Sequence, residues 1–477
     1  MKKSTENTIA VILLSALLIF FVVIALLSEG VYGGADNYTH YRLARYAFQY
    51  PEFFVDHWGK PVYTTLSSVF AQYGFNGAKT FNILAGLFSA YFIFRIAQKL
   101  NYRFSLLAII MLLGMPVYFM VMISSLTEML FSFFIALSAW LFLNKKYYGF
   151  AVAVSLLPFL RTEGFFLIPV FAFALLAEKK YSAIPVLLSG TVFYSIAGSF
   201  HYGDLLWVFS QMPYVGGAEN LYGSGPLLHF VNSYKEITGL LPALLLTAGL
   251  IILIYESTAK KQANNFLRYE WFILVLPFII YLSLHSWLWW QGRGSSLGLT
   301  RVMAGVLPLA ALLCMKPVNF IYEKLPANKL IRMLPVTALI FFLAREPFIR
   351  NPVPYPMAAT ESLVKEASQW LRQSEYFGKK IYYNDPLFPF FLDLNPFDNK
   401  RIREHVPDRE HPESGIAKGE IVLWDAHFSP NEGRLPLKTM EESAYFTRVK
   451  KFEPAEKFQV LGGHDFAVCI FRRNEKK

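Results

Sequence analysis

Charged side chains and cysteines are scarce in this chain of 477 residues. Asp, Glu, Lys and Arg make up 17 % of it and hydrophobic residues 55 %, whereas soluble domains carry roughly 25 % charged residues. This shortage excludes an ordinary soluble protein and predicts that most of the chain lies in lipid. The two cysteines are Cys314, in an apolar run, and Cys469, near the C-terminus. Neither a disulfide framework nor a cysteine metal site is therefore expected.

Long hydrophobic runs fill the first 345 residues. The first run, 8–27, follows two lysines, is too long for a signal peptide and lacks a small-residue cleavage site, so we predict an uncleaved span. With the later runs we predict about eleven transmembrane helices. The later runs are 78–98, 104–123, 125–143, 147–160, 164–177, 181–200, 237–255, 271–290, 302–315 and 329–344. Several are short for a full crossing, which indicates tilted or re-entrant segments.

Basic residues indicate the orientation of these spans. With a cytoplasmic N-terminus, the inner connections hold 16 Lys and Arg residues and the outer ones 7, as the positive-inside rule requires. The net charge of +11 thus reflects topology, and no nucleic-acid partner is expected. An odd number of spans places the C-terminus outside the cytoplasm. The most polar stretches, above all the loop 28–77, then share the outer side, which favours chemistry at one membrane face.

The composition changes after Arg345. A proline-rich linker leads to a segment of ordinary polarity, in which 360–377 has the pattern of an amphipathic helix capped by Gly378. Short β-branched and aromatic runs predict strands at 380–384, 420–424, 445–452 and 465–472. We therefore predict two domains, a transmembrane domain over 1–345 with a catalytic outer loop at 28–77, and a soluble extracytoplasmic α/β domain over 346–477.

The outer loop holds the main candidate for catalysis. Asp36 comes just after the first span, with Tyr38 and His40 within about one helical turn. A carboxylate there can act as a general base that takes a proton from a hydroxyl group. Tyr38 and His40 would then position the substrate. The alternative for Asp36 is the capping of a helix that begins at Asn37, and the alternative for His40 is an ordinary interface histidine.

The end of the same loop has the pattern of an anion site. Lys60 precedes Pro61, which suits the first position of a helix, so an ammonium and free backbone amides would face the same point. Asp56 and His57, just before it, are candidates for positioning a substrate. The alternative for Lys60 is a side chain that extends to the lipid headgroups.

Charged residues at the ends of other spans are further candidates for binding or positioning a substrate. Glu128 is the only acid in its predicted span and must face protein or a cavity. Glu128 and Glu163 are also candidates for positioning a substrate. Arg161 and Glu163 lie where two short spans meet, either as an internal ion pair or with Arg161 as a phosphate ligand. Arg293 and Arg301 lie on the outer side against the positive-inside trend, which suggests a lipid phosphate. In the polar loop 202–234 no His, Cys or Asp spacing has a recognised metal geometry, so neither a metal nor another cofactor is predicted.

Four of these features together resemble the polytopic glycosyltransferases of the GT-C fold. They are the acid after the first span (Asp36), the Lys60-Pro61 pair, the acid at Glu128 and the charged turn of residues 161–164. The branch most similar is the group of protein mannosyltransferases and lipid A aminoarabinose transferases. Two positions depart from its pattern: Asn37 stands where a second acid is common, and Val62 where a second proline is common.

The resemblance implies an activity and its site residues. Members of this group use polyprenyl- or dolichyl-phosphate sugars at the non-cytoplasmic face. By resemblance, Asp36 corresponds to the catalytic base, Lys60 to the lysine that meets the donor phosphate, and Arg293 and Arg301 to basic residues near that phosphate. The resemblance implies an inverting, hexosyl- or mannosyl-type transferase of the cell envelope that acts on a glycan, lipid or protein hydroxyl. The alternatives are a transporter or flippase of lipid-linked saccharides and a structural membrane subunit.

Overall fold

The computed structural model describes residues 3–213, 221–258, 266–326 and 328–475. These residues form two compact units. The first comprises Met1–Gly33 and Leu43–Tyr355, and the second comprises Gly34–Arg42 and Pro356–Lys477. The helix Asp36–Tyr46, called here the Asp36 helix, thus contributes its first two turns to the second unit.

The first unit is helical throughout its described part. Its remaining α-helices are Lys3–Leu27, Pro61–Ala71, Phe75–Lys99, Leu107–Leu113, Pro116–Met122, Glu128–Leu143, Tyr147–Ser155, Gly164–Ala177, Ser189–Tyr202, Trp207–Ser210, His229–Asn232, Tyr234–Thr238, Leu240–Thr258, Leu267–Tyr269, Leu276–Gln291, Leu307–Lys324 and Lys329–Arg350. Its 3₁₀ segments are Pro51–Val55, Leu157–Phe159, Tyr181–Ala183, Pro185–Leu188 and Thr300–Gly305, and Glu270–Val275 is a π-helical turn.

Within the described residues, five helical segments are long and apolar enough to cross a membrane. They are Lys3–Leu27, Phe75–Lys99, Tyr181–Tyr202, Leu240–Thr258 and Leu267–Gln291, and the shorter apolar helices are Glu128–Leu143, Tyr147–Phe159 and Gly164–Ala177. The run expected to cross at 104–123 is instead two short helices, because Pro116 begins a new helix after Gly114. The predicted fold class, a multi-pass helical membrane protein with a small C-terminal α/β domain, is confirmed.

In the first unit, apolar side chains face outward and polar side chains face inward, as expected for a protein surrounded by lipid. Large apolar side chains such as Phe173 and Phe200 face outward, 63 % and 88 % exposed. Polar groups pair inside: Ser132 Oγ lies 3.1 Å from Ser89 Oγ and 3.0 Å from Tyr118 OH, and all three residues are buried. Hydrocarbon offers no hydrogen-bond partner, so helices that cross it turn such groups toward one another. The molecule is an integral membrane protein.

The second unit contains a five-stranded sheet. Its strands are β1 (Ile381–Tyr383), β2 (Ile402–Glu404), β3 (Ile421–Asp425), β4 (Phe446–Phe452) and β5 (Val468–Arg473), in the order β2-β1-β3-β5-β4. β1 runs parallel to β2 and β3, whereas β5 is antiparallel to β3 and β4. The helices are Ala359–Gln373, Leu387–Leu392 and Leu437–Glu442, with 3₁₀ turns at Pro412–Gly415 and Leu461–Gly463.

Two details of this unit differ from the sequence patterns. The amphipathic helix ends at Gln373, where Ser374 turns extended (ψ 160°), so Gly378 is not its cap. β2 was not expected, because its three residues include Arg403 and Glu404 and show no apolar run. It pairs with β1 in register, with Tyr383 opposite Glu404. The carboxyl ends of β1 and β2 therefore meet at one edge of the sheet.

Buried acids lie at this same edge. Asp385 follows β1 and Asp425 ends β3, and both are almost fully buried. Burial, and next the charge of Asp425, raises the pKa of Asp385 well above its usual range. Burial raises the pKa of Asp425 to about 6, although backbone amides and the Ser429 hydroxyl donate to its carboxylate.

Candidate active site

Lys60 is the N-cap residue directly before the helix Pro61–Ala71 of the first unit. Its backbone has φ 65°, a left-handed conformation that is unfavourable for a residue with a Cβ, and Pro61 takes the first helical position. The Lys60 ammonium donates a hydrogen bond to Thr162 Oγ1 at 2.8 Å. This neutral partner leaves the positive charge of Lys60 uncancelled by a direct ion pair among the described residues.

Residue Asp56 shapes the turn before Lys60. Its Oδ1 accepts a hydrogen bond from Gly59 N at 2.5 Å. The neighbouring His57 is 6 % exposed, and its Nε2 lies 2.9 Å from Val208 O. These two residues, which the sequence suggested as substrate-positioning groups, therefore hold the backbone that presents Lys60.

Arg161 lies at the centre of a buried ionic network. Its Nη1 is 2.9 Å from Glu128 Oε1 and its Nη2 is 2.8 Å from Glu163 Oε1. Glu163 Oε1 also lies 3.0 Å from His285 Nε2, on a predicted span. The side chains of Arg161 and Glu128 are only 13 % and 3 % exposed. The internal Arg–Glu pair that the sequence left as one alternative is present, within a larger network.

A second guanidinium joins this network. Arg301, on the 3₁₀ segment Thr300–Gly305, is 7 % exposed, and its Nε lies 3.9 Å from Glu128 Oε1. Its Nη1 donates a short hydrogen bond to Gly33 O. Gly33 has φ 100°, and a Cβ there would lie 2.5 Å from Arg301 Nη1 and 2.7 Å from Leu126 Cδ1. A glycine suits the positive φ, and a Cβ at this position would displace the Arg301 guanidinium and the Leu126 methyl group.

Replacing Gly33 by alanine is expected to lower the melting temperature more than replacing Gly34. Both residues have positive φ, so both variants carry backbone strain. A Cβ at Gly34 meets nothing within 4 Å, whereas one at Gly33 collides with Arg301 and Leu126. Thermal unfolding of the two variants in detergent measures the difference. Equal melting temperatures would contradict the close approach of Arg301.

Burial and neighbouring charges set the protonation of this region. Burial lowers the pKa of Lys60 to about 8, against an opposing effect of the Glu163 carboxylate. Burial lowers the pKa of His57 to about 4, and the Lys60 charge acts in the same direction, so this imidazole is neutral at pH 7. Burial alone would raise the pKa of Glu163, but Arg161 and then His285 hold it well below its usual range. Glu163 therefore stays ionised as a partner for Arg161.

Two guanidinium groups thus share buried carboxylates, and the Lys60 ammonium contacts the turn that carries one of them. Lys60 is joined to the network through Thr162, while Arg161 and Arg301 share Glu128. Such a constellation can hold an anionic group, since guanidinium and ammonium groups bind phosphate oxygens and protein surroundings strengthen the attraction. In the described residues, no group of three or more His, Cys, Asp or Glu side chains is arranged to hold a metal ion.

Four further candidates remain: Asp36, Tyr38, His40 and Arg293. Asp36 is the first residue of the Asp36 helix and is half-buried, and it lies with Tyr38 and His40 in the second unit. Tyr38 and His40 are 3 % and 8 % exposed.

Arg293 is exposed, with its guanidinium 5.7 Å from the centre of the Trp287 ring. The structure does not bring Arg293 to Glu128 as it does Arg161 and Arg301.

Two residues of the network were missed by the sequence reasoning. His285 lies inside a predicted span, and an ionisable residue at such a position is a functional candidate by itself. Thr162 stands between the two charged residues of its turn and carries no signal beyond that position. Its hydroxyl becomes notable only because Lys60, 102 residues away, donates to it.

Comparisons with known proteins are consistent with this architecture. No protein-family model and no curated protein matches the sequence. ArnT from Cupriavidus metallidurans bound to undecaprenyl phosphate superposes with a TM-score of 0.60 at 12 % identity, over 97 % of each chain. Its apo state gives 0.61 at 11 % identity over 98 % of each chain. The mycobacterial arabinofuranosyltransferase AftD gives 0.50 at 13 % identity over 97 % of this chain and 40 % of its own. These likenesses show the fold, and the predicted GT-C fold is confirmed.

Proposed function

We propose that this protein is a membrane glycosyltransferase. It moves a sugar from a polyprenyl-phosphate donor to an acceptor hydroxyl at the non-cytoplasmic face. The observation that carries the proposal is the set of partly or fully buried cations formed by Lys60, Arg161 and Arg301, in a fold shared with ArnT, which has been seen bound to undecaprenyl phosphate. A lipid phosphate is an anion that reaches such a site from the bilayer. The sugar is proposed to be a hexose of the mannose type and the acceptor a glycan, lipid or protein of the cell envelope.

The proposed reaction is a single displacement. Asp36 accepts the proton of the acceptor hydroxyl as its oxygen forms a bond to the anomeric carbon. The bond between that carbon and the phosphate oxygen breaks, and the electron pair leaves with the polyprenyl phosphate. Lys60, with Arg161 and Arg301, stabilises the charge that develops on this leaving phosphate. Attack opposite the leaving group inverts the anomeric configuration. The role of Asp36 rests on its sequence context and the family resemblance.

A transfer assay tests the reaction class. Purified protein in nanodiscs is incubated with a panel of polyprenyl-phosphate sugars and cell-envelope extract as acceptor, and release of polyprenyl phosphate is followed. We expect release with one donor class and a large loss of kcat/KM in Lys60→Ala, because one cation of the proposed phosphate site is gone. Lys235→Ala, at an exposed lysine, is the matched control. Absence of release from every donor would contradict the proposal and favour a transporter of lipid-linked saccharides.

The activity is expected to fall at alkaline pH because of Lys60. Burial lowers its pKa to about 8, so the free enzyme loses this positive charge as the pH rises through that value, well below the usual lysine range. The donor is a phosphodiester and keeps its charge throughout. We expect kcat/KM for the donor to fall about tenfold per pH unit above the pKa, since this ratio reports the free enzyme.

Lys60→Arg provides the diagnostic variant for that profile. A guanidinium remains protonated through this range, so the alkaline fall should disappear even where the maximal rate is lower. Lys235→Arg should keep the wild-type profile. An unchanged alkaline limb in Lys60→Arg would assign the titration to another group.

A further inference from the structure

We propose that the second unit positions Asp36. It does so through two anchors on the Asp36 helix: Arg42, bound by Glu404 and Tyr383, and Tyr38, bound by Glu361. The inference rests on the proposed function, because it assigns these residues to the orientation of the proposed base. The C-terminal α/β domain thereby becomes part of the catalytic machinery, and its three contributing side chains, Glu361, Tyr383 and Glu404, are positioning residues.

The two anchors lie on one face of the helix. Tyr38 and Arg42 are four residues apart and therefore project from the same side. Asp36 and His40 each precede one of them by two residues, which places them about 200° around the helix axis. Contacts made by Tyr38 and Arg42 thus fix the rotation of the helix about its axis, and with it the side from which Asp36 and His40 project.

The first anchor is an ion pair at the sheet edge. Arg42 Nη2 lies 2.9 Å from Glu404 Oε2 and 3.2 Å from Glu404 Oε1, and Arg42 Nη1 donates to Tyr383 OH at 3.3 Å. Glu404 and Tyr383 end β2 and β1 and are paired across these strands. The Arg42 side chain is 14 % exposed. One guanidinium thus binds the carboxyl ends of two neighbouring strands, and its planar geometry restricts rotation of the helix.

The second anchor is the Tyr38 side chain. Its hydroxyl donates to Glu361 Oε1 at 3.3 Å, and its ring centre lies 4.7 Å from that of Phe390 in an edge-to-face contact. The other Glu361 oxygen accepts a hydrogen bond from Ala358 N at 3.2 Å, at the start of the helix Ala359–Gln373. Tyr38 is therefore held by residues that are themselves held by the second unit.

The two anchors, one helical turn apart, restrict both the position and the rotation of the Asp36 helix. A general base must lie within hydrogen-bond distance of the proton that it takes, and a displacement of about 1 Å can lower the rate by about 10²-fold. The Arg42 and Glu404 side chains are 14 % and 36 % exposed. In Glu404→Gln the amide oxygen can still accept a hydrogen bond from Arg42, and Tyr383 keeps its own contact with Arg42, so the loss of stability should be smaller than for a fully buried ion pair that loses one partner. A role in positioning therefore predicts a large effect on kcat with a small effect on folding.

The test is Glu404→Gln, which keeps the shape of the side chain and removes its charge. We expect kcat to fall about 10²-fold, with donor KM and melting temperature near wild type. The charge-reversed double variant Arg42→Glu with Glu404→Arg should recover at least part of the loss shown by each single variant. The matched control is Glu441→Gln, which removes the ion pair to Arg448 on β4 of the same unit and should leave kcat unchanged. Tyr383→Phe, which loses one hydroxyl, serves as a second variant if Glu404→Gln does not fold.

A double-mutant comparison separates positioning from a structural role. If Glu404 acts through Asp36, adding Glu404→Gln to Asp36→Asn should cause little further loss. A further loss of the full size would overturn the inference, as would wild-type kcat in both Glu404→Gln and Tyr383→Phe. Full activity of Asp36→Asn alone would instead remove the proposed base, and the positioning role with it. Wild-type kcat in the Glu404 and Tyr383 variants together with an inactive Asp36→Asn would contradict the positioning role only.

Discussion

Asp36→Asn is expected to release polyprenyl phosphate about 10²–10⁴ times more slowly than the wild type, because a positioned general base contributes a factor of this size. An amide has the shape of the carboxylate but does not accept the hydroxyl proton. The loss should appear in kcat, while donor KM stays near wild type, since the proposed phosphate ligands are untouched. Single-turnover release from a saturating donor, with acceptor present, measures the step directly.

The control for this variant is Glu29→Gln. Glu29 is an exposed acid between the first long helix and Asp36 and has no assigned role, so its neutralisation should leave the rate unchanged. Equal losses in the two variants would indicate a general effect of charge near the membrane. A fully active Asp36→Asn protein would remove Asp36 as the base and turn attention to other acids.

Arg161→Met is expected to destabilise the protein by about 3–5 kcal/mol, the usual effect of removing one partner of a buried ion pair. Arg161 is the direct partner of both Glu128 and Glu163, whose side chains are 3 % and 14 % exposed. Without it, two carboxylates remain in a desolvated site, with Arg301 and His285 as their other neighbours. Denaturant unfolding in micelles measures the change, and transfer activity should be lost with it.

Two further variants show whether buried charge is the cause. Arg268→Gln removes a guanidinium that is 62 % exposed and lies 3.7 Å from Glu178, and this change should cost less than about 1 kcal/mol. Adding Glu163→Gln to Arg161→Met should recover part of the lost stability, because one uncompensated charge disappears. If the double variant is less stable than Arg161→Met alone, the loss of stability comes from the packing of these side chains and not from uncompensated charge.

Local patterns were sufficient for much of the architecture. Scarce charge and long apolar runs predicted a multi-pass membrane protein, and the β-branched runs after Arg345 predicted an α/β domain. The break at Pro116 could also have been read locally, since proline begins helices. The patterns failed where an element is short or polar: β2 forms because β1 pairs with it, and its own residues carry no strand signal.

Candidate residues were found by their chemistry, but their partners were not. The candidates at the ends of predicted spans were Glu128, Arg161 and Glu163. The polar candidates next to predicted spans were Lys60 and Asp36. The hydrogen bond between Arg301 and Gly33 joins residues 268 positions apart, and the one between Arg42 and Glu404 joins residues 362 apart. Sequence periodicity reveals only residues a few positions apart on the same helix or strand. It therefore cannot predict contacts between residues so far apart in the chain.

The amino-acid sequence alone determined the membrane class, the C-terminal α/β domain and the residues worth testing, because hydropathy and side-chain chemistry are local properties. Three features depended on the folded chain. They are the network around Arg161, the lowered pKa of Lys60 and the membership of Asp36 in the second unit. Each depends on burial and on contacts between segments far apart in the chain, since a charge changes its behaviour only when other parts of the protein replace the water around it.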